Sequence, residues 1–341
     1  MKKSVACFLA LMVFPLVAGL QSVRGDGPEF KIVRLDPALD ALIPPDAKAE
    51  KLAGGFTWVE GPAWRKKEDY LLFSDIPKNT IYRWKEGEGI SIFLRPAGYD
   101  LGDTPDWELG SNALIFDAQD RLVMCDHGNR RIDWVNEAVY TKTTLAEKYL
   151  GKRFNSPNDL VFKSNGDLYF TDPPYGLDKR NQDPKKELDF NGVFRLSPKG
   201  ELTLLTKELT FPNGLGFSPD EKTFYVAVSD PQHAVWMAYD VQPDGTIANG
   251  RVFFDATDTV KQGKAGLPDG MKVDAQGNLF AAGPGGLYIF SPAGKQLGLI
   301  QSLTPGIRVS NCAWGDDGST LYFTATSYLM RIKLATKGEG F

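Results

Sequence analysis

Short apolar runs separated by polar turns recur along most of the chain, and residues 156–176 show this unit most clearly. Its first apolar run, residues 160–162, is followed by a Ser-Asn-Gly-Asp turn and a second run at residues 168–171. Two short apolar runs around an Asn-Gly turn are typical of a β-hairpin. No long stretch with helical apolar periodicity follows the N-terminus, so the pattern predicts an all-β protein.

The same unit occurs in six copies. Each copy opens with an acid or its amide, at Glu60, Asn112, Asn158, Asn213, Asp269 and Asn311. A polar turn and a second apolar run follow each opening, and third and fourth runs are visible in most copies. Repeats of about 40 to 50 residues are the signature of propellers and solenoids. Four strands in each of six copies predict a six-bladed β-propeller.

The last copy ends after its third strand, which would leave an unpaired sheet edge. The run at residues 50–59 has no blade of its own, so we expect an N-terminal strand to close the ring. This divides the chain into a signal peptide (1–25), a lead-in wrapping the outside (26–48) and a propeller catalytic domain (49–341).

The first residues are Met-Lys-Lys followed by an apolar run at 5–20, which Pro15 interrupts. This run is shorter than the ~20 residues that span a bilayer comfortably, so it predicts a secretory signal peptide rather than a membrane anchor. We expect cleavage before about Leu20 or Asp26. The predicted location is therefore periplasmic or secreted, with no membrane attachment after cleavage.

Composition and motifs disfavour several classes of function. Without residues 1–25 the chain has 36 basic and 43 acidic residues, a formal charge of −7, and no basic stripe that would favour nucleic acid. Cys125 and Cys312 fall in non-adjacent copies, so we expect two buried thiols rather than a disulfide or a cysteine zinc site. No Gly-x-Ser-x-Gly motif indicates a serine hydrolase.

The first strand of each propeller blade lies nearest the axis, so the six openings should meet at one mouth of the central channel. Carboxylate and amide oxygens are ligands of hard cations, and two carboxylates balance a divalent ion. Calcium fits this set best, with Mg²⁺, Zn²⁺ and Mn²⁺ as alternatives. In the alternative interpretation, these residues only cap strand ends and satisfy backbone groups.

Four motifs carry a resemblance: Glu60-Gly-Pro, Ser-Pro-Asn158-Asp-Leu, Pro-Asn213-Gly-Leu-Gly-Phe-Ser and Pro-Asp269-Gly-Met. In this order they resemble the gluconolactonase family, which includes the senescence marker protein regucalcin, over roughly residues 50 to 335. The resemblance implies a six-bladed propeller with a divalent ion, usually calcium, held by Glu60, Asn213 and Asp269, with Asn158 as a fourth ligand or substrate contact. Ser156 stands where the animal lactonases carry an arginine that grips the substrate, so the chain looks more like the bacterial, exported members.

The function we expect is hydrolysis of a small-molecule lactone by metal-activated water, with Asp269 as the general base. His127 would donate to the carbonyl or relay a proton, although a purely structural histidine is an equal alternative. The residues predicted to contact substrate are Asn158, Asn112, Asp172, Tyr175 and Arg131.

Two charged insertions, residues 96–109 and 177–191, are either lids over the site or solvated loops. Two other functions remain open. One is a phosphotriester or fluorophosphate hydrolase, since diisopropyl fluorophosphatase is a more distant propeller of this kind. The other is a non-catalytic propeller that binds a sugar or a protein and keeps a structural metal.

Overall fold

The computed structural model describes residues 27–100 and 109–341. The predicted signal peptide therefore lies outside the described residues, and the insertion at 96–109 is described only at its two ends. Within the described residues, no helix has the length and apolar character needed to cross a membrane.

Six antiparallel sheets form the blades of a six-bladed β-propeller, as predicted. The N-terminal strands are β1 (Phe30–Arg34) and β2 (Glu50–Gly54). Blade 1 contains β3 (Val59–Arg65), β4 (Tyr70–Asp75), β5 (Thr80–Lys85) and β6 (Gly89–Leu94). Blade 2 contains β7 (Leu114–Phe116), β8 (Leu122–Asp126), β9 (Arg131–Asn136) and β10 (Thr141–Ala146), followed by a separate hairpin of β11 (Lys148–Tyr149) and β12 (Lys152–Arg153).

The remaining blades continue in the same order. Blade 3 contains β13 (Leu160–Phe162), β14 (Leu168–Asp172), β15 (Gly192–Leu196) and β16 (Leu202–Thr206), and blade 4 contains β17 (Pro212–Phe217), β18 (Thr223–Asp230), β19 (His233–Val241) and β20 (Ile247–Asp255). Blade 5 contains β21 (Met271–Val273), β22 (Leu279–Gly283), β23 (Gly286–Phe290) and β24 (Gln296–Ser302), and blade 6 contains β25 (Val309–Gly315), β26 (Thr320–Ala325) and β27 (Tyr328–Lys333). In the described part of the chain the short helices are one α-helix, α1 (Thr257–Lys261), and 3₁₀ turns at Pro37–Ala41, Ile76–Lys78 and Arg180–Gln182.

The N-terminus closes the ring, as predicted. Strand β2 pairs antiparallel with β27 and becomes the outer strand of blade 6, with Lys51 opposite Met330. The lead-in also contributes a strand, because β1 pairs with β24 as a fifth, outermost strand of blade 5. Across the closure, Trp64 of blade 1 stacks on Tyr322 of blade 6, with ring centroids 5.3 Å apart. These contacts tie the first and last blades together.

The core lies between the blades, because each blade packs its faces against its neighbours. All six residues of the inner strand β26 are buried, whereas none of the outer strand β10 is fully buried. Large aromatic side chains fill these interfaces, such as Trp236 against Tyr288 and Phe290. Burying one such ring contributes roughly 1.5–3 kcal/mol. Both described cysteines, at positions 125 and 312, are buried and free, as predicted.

Candidate active site

The strand openings meet at a cavity of about 450 Å³ at one mouth of the channel. Five of the six opening residues line it: Glu60, Asn112, Asn158, Asn213 and Asp269. The sixth, Asn311, does not. Its Oδ1 accepts a hydrogen bond from its neighbour's backbone N–H, and its side chain lies against Gly270, where an added Cβ would come within 2.0 Å. We refer to Glu60 and Asp269 below as the floor carboxylates.

The three amides are joined side chain to side chain. Asn112 Nδ2 donates to Asn158 Oδ1 at 2.7 Å, and Asn158 Nδ2 donates to Asn213 Oδ1 at 2.5 Å. The relay ends where Asn213 Nδ2 donates to Ser229 Oγ at 2.9 Å. Each amide oxygen has two lone pairs, so one acceptor position remains on Asn158 and Asn213. The relay therefore fixes which way the amides point.

Two glycines allow the openings to approach closely. A Cβ on Gly61, whose φ is +55°, would lie 2.5 Å from the Asn112 carbonyl oxygen, and one on Gly214 would lie 2.2 Å from the Asp269 carbonyl oxygen. Any larger residue would push neighbouring first strands apart. The glycines after Glu60 and Asn213 are therefore part of how the site is built.

Asp172, predicted to contact substrate, is fully buried and does not line the cavity. Its two carboxylate oxygens accept hydrogen bonds from the backbone N–H groups of Asn155 and Ser156, both at 2.8 Å. Burial raises the pKa of Asp172 to about 7, against the opposing effect of these two hydrogen bonds. The prediction that Asp172 contacts substrate is therefore corrected. Its carboxylate instead holds the turn that leads to Asn158.

Asp75 in blade 1 also holds the segment that leads to an opening residue. Its carboxylate accepts from the backbone N–H groups of Thr57 at 3.0 Å and Trp58 at 3.1 Å, just before Glu60. Burial raises its pKa as well. We refer to Asp75 and Asp172 as the anchor carboxylates. Both end the second strand of a blade, and both fix the segment that leads to an opening residue.

His127 is also buried and does not line the cavity, so the structure does not place it as the predicted proton donor. It packs beneath Gly176, where an added Cβ would lie 2.7 Å from His127 Cδ2. His127 Nδ1 lies 3.3 Å from the Pro157 carbonyl oxygen, and Nε2 has no hydrogen-bond partner among the described residues. Burial lowers its pKa to about 4, which keeps the ring neutral.

Arg131, another predicted substrate contact, lies outside the cavity lining. Its guanidinium is held by carboxylates of Asp133 at 2.7 Å, Asp100 at 3.2 Å and Asp126 at 3.3 Å. Through Asp100, Arg131 connects blade 2 to the loop that follows blade 1. The sequence could not predict the direction of the Arg131 side chain, and that direction takes the guanidinium away from the cavity.

Tyr175, also predicted to contact substrate, lines the cavity. It stacks on Phe211 with ring centroids 5.9 Å apart and ring planes 15° apart, which makes a flat wall. Ser156 donates to the Pro173 carbonyl at 2.6 Å and accepts from the Gly176 N–H at 2.9 Å. This serine therefore shapes the loop that presents Tyr175.

Several cavity residues were not anticipated. Those from the segments joining the outer strand of one blade to the first strand of the next are Trp58, Phe211, Val260, Lys264, Ala265, Gly266, Leu267 and Arg308. In an antiparallel four-stranded blade the fourth strand, like the second, runs back toward the mouth. Extending the strand-direction argument to these connections would have found them. Arg180, from the predicted insertion at 177–191, also lines the cavity.

A second, larger cleft of about 570 Å³ lies among residues 181–191 and 207–211. None of the opening residues lines it. The oxygen-rich cavity at the channel mouth is therefore the site on which the sequence signals and the geometry agree.

Fold and site together define a six-bladed propeller with a cavity at its central mouth, lined by two carboxylates and three linked amides. Residues 58–327 match the family model described as the SMP-30/Gluconolactonase/LRE-like region, and the chain belongs to this family. The resemblance inferred from the sequence is therefore confirmed.

The chain is 42% identical to the gluconolactonase of Zymomonas mobilis over 311 residues, which cover 90% of this chain and 87% of that protein. A solved gluconolactonase from Xanthomonas campestris superposes with a TM-score of 0.77 at 33% identity, covering 92% and 99% of the two chains. The fold alone is shared with regucalcin of Agrobacterium tumefaciens, a calcium-binding protein, with a TM-score of 0.63 at 18% identity and coverages of 85% and 96%.

Proposed function

We propose that the protein hydrolyses a lactone in the cavity at the channel mouth, with a divalent cation, preferably calcium, held there. The observation that carries this proposal is the convergence of Glu60, Asp269, Asn158 and Asn213 on one cavity. The similarity to gluconolactonases over most of the chain supports the same reaction.

The residues present fit a hard cation. The described residues contain no group of three or more His, Cys, Asp or Glu side chains that could hold a metal. The candidate set is instead two carboxylates and two amide oxygens, a formal charge of −2, which suits Ca²⁺ better than a metal preferring nitrogen or sulfur ligands. The amide relay holds the oxygens of Asn158 and Asn213 before any ion arrives.

When bound, such a cation would supply Lewis acidity toward the lactone carbonyl. Asn158 would orient the substrate, because its amide is fixed by bonds on both sides. Asp269 would accept the proton of the attacking water as the water oxygen bonds to the acyl carbon. Cleavage of the bond between acyl carbon and ring oxygen then gives a hydroxy acid, with a proton returned to the released hydroxyl.

The remaining cavity wall suits a small ring. Trp58, Tyr175 and Phe211 present aromatic surface beside the polar floor. A cavity of about 450 Å³ with few convergent polar groups and apolar walls is typical of small-molecule sites. Because the N-terminal sequence predicts a signal peptide, we further propose that this reaction takes place outside the cytoplasm.

The test is acid release from D-glucono-1,5-lactone, followed by pH-stat with and without a chelator, for the parent and for Asp269→Asn. We expect the chelator to abolish turnover, added Ca²⁺ to restore it, and the variant to stay inactive. Activity that survives both treatments would overturn the metal-assisted mechanism. A protein that binds the ion and turns over no lactone would instead be a binding module.

A further inference from the structure

Three cationic side chains line the rim of the cavity: Arg180, Lys264 and Arg308. They come from three separate connections between strands, after β14, after α1 and after β24. All three residues are exposed. We call this group the cation rim.

Within residues 27–100 and 109–341, none of the three cations lies within 4.0 Å of a carboxylate, although ion pairs at that distance are numerous elsewhere. Lys142, in blade 2, contacts two carboxylates within 3.0 Å. A solvated lysine or arginine is ordinary at a surface, but three of them around one polar cavity form a local positive field. The rim therefore differs from the charge clusters that hold this fold together.

Arg180 is held at this position by its surroundings. Its guanidinium lies 5.6 Å from the Tyr175 ring centroid, and Tyr175 stacks in turn on Phe211. The loop around it is fixed by Asp183, whose carboxylate accepts the backbone N–H groups of residues 179 and 185. Arg180 has a φ of +47°, in the left-handed region that is uncommon for non-glycine residues. Its cation is thus presented beside a flat aromatic wall.

The charges of the cavity have a simple consequence. The whole protein carries a formal charge of −4, which disfavours approach of an anion. A divalent cation would balance the two floor carboxylates, and the three rim cations would then dominate the field of the cavity. A neutral substrate gains little from such a field, whereas its acidic product would be retained by it. The cation rim would attract and hold a substrate that already carries a negative charge.

We propose that the substrate is a lactone bearing an anionic group, a carboxylate or a phosphate, away from the reacting carbonyl. The cation rim binds that group, and Arg180 holds it beside the ring of Tyr175. This inference rests on the proposed lactone hydrolysis and adds the class of substrate.

The experiment compares two matched pairs of substrates. D-Glucono-1,5-lactone and its 6-phosphate differ by a phosphate, and D-glucono-1,4-lactone and D-glucaro-1,4-lactone differ by a carboxylate. We expect kcat/KM for the anionic member of at least one pair to exceed that of its neutral partner about tenfold or more. The pair that shows the preference identifies which anion is bound. The preference should shrink in high salt, because exposed charges are screened.

Rim variants locate the effect. In Arg180→Gln and Arg308→Gln, kcat/KM for the preferred anionic lactone should fall fivefold or more, mainly through KM, and the ratio of kcat/KM between the anionic lactone and its neutral partner should fall with it. Lys222→Gln removes one exposed charge from a turn on the opposite face and should leave the preference unchanged.

The outcomes separate the two proposals. Hydrolysis of the lactones with no anion preference, or with a preference that both arginine variants retain, would overturn the substrate class and leave the lactonase proposal standing. Absence of turnover on all four lactones would overturn the lactonase proposal and this inference with it.

Discussion

Two sets of carboxylates lie at the same mouth of the propeller and have different surroundings. The floor carboxylates, Glu60 and Asp269, begin first strands and line the cavity. The anchor carboxylates, Asp75 and Asp172, end second strands and point into the protein, where each accepts two backbone N–H groups. Closeness to the mouth is therefore not enough to make a site residue. The floor carboxylates also accept a backbone N–H, because Glu60 Oε2 bonds the N–H of Gly61 and Asp269 Oδ1 bonds that of Gly270. The two sets differ in that both oxygens of each anchor carboxylate accept backbone N–H groups and neither anchor lines the cavity.

The anchors occupy the same place in their repeats. In blade 1 the N–H groups they bind belong to residues 57 and 58, ahead of Glu60, and in blade 3 to residues 155 and 156, ahead of Asn158. Each anchor thus fixes the segment entering an opening residue. The anchors support the site through the backbone, and the floor carboxylates can act on a ligand directly.

The largest expected effect comes from a floor carboxylate. Asp269→Asn removes the proposed base and one charge of the proposed cation site, so kcat for lactone hydrolysis should fall by about 10²-fold or more. The melting temperature should change little, because the side chain is only partly buried. Steady-state kinetics and thermal unfolding on the same preparation give both values.

Asp46→Asn is the matched control, since this aspartate is exposed on the N-terminal segment. It should leave both kcat and melting temperature unchanged. Full activity in Asp269→Asn would remove the distinction between floor and anchor carboxylates.

An anchor carboxylate should show the opposite profile. Asp172→Ala leaves the buried N–H groups of Asn155 and Ser156 without an acceptor, so the free energy of unfolding should fall by about 2 to 4 kcal/mol. The folded fraction should keep kcat within about fivefold, because Asp172 does not line the cavity. Urea unfolding measures the first quantity. A variant that is as stable as the parent but inactive would show that Asp172 acts on substrate after all.

The pH dependence of stability should change in opposite directions when Asp172 and His127 are replaced. Burial raises the pKa of Asp172 to about 7 from ~3.9 when unfolded, so its contribution is complete below about pH 4 and lost as pH rises through 7. Burial lowers the pKa of His127 to about 4 from ~6.5, so its contribution is complete above about pH 6.5 and lost as pH falls through 4.

As pH rises from 4 to 7, the stability of Asp172→Asn relative to the parent should therefore increase. Over the same rise in pH, the stability of His127→Asn relative to the parent should decrease. Denaturant midpoints at several pH values measure both differences. Curves that stay parallel to the parent's would contradict the burial that causes these pKa shifts.

The smallest expected effect is the change in catalytic activity when His127 is replaced by asparagine. Because the imidazole lies beneath Gly176 and outside the cavity, kcat/KM at pH 8 should stay within about threefold of the parent. Lactone hydrolysis at saturating Ca²⁺ tests this. A fall beyond about 10²-fold, with unchanged stability, would restore His127 as a catalytic group.

The repeat in the sequence predicted the blades, the closing N-terminal strand and the opening residues, because strand periodicity and strand direction follow from local pattern alone. It did not predict which side chains turn inward. Asp172, His127 and Arg131 were expected at the mouth from strand direction, but none of them lines the cavity. Arg131 pairs with Asp100 and His127 packs against Gly176, contacts that the local pattern does not predict. Lys264 and Arg308 were missed because strand direction was not extended to the connections between blades, and Arg180 lies in the insertion at 177–191, for which the sequence did not indicate a contacting side chain.

Calorimetric titration of Ca²⁺ into chelator-treated protein tests the central claim most directly, that the floor carboxylates hold a cation. The account predicts one equivalent bound by the parent, similar affinity for Asp172→Asn, and affinity at least about tenfold weaker for Asp269→Asn. Equal affinity in all three proteins, or no binding of Ca²⁺, Mg²⁺, Mn²⁺ or Zn²⁺ by the parent, would contradict it.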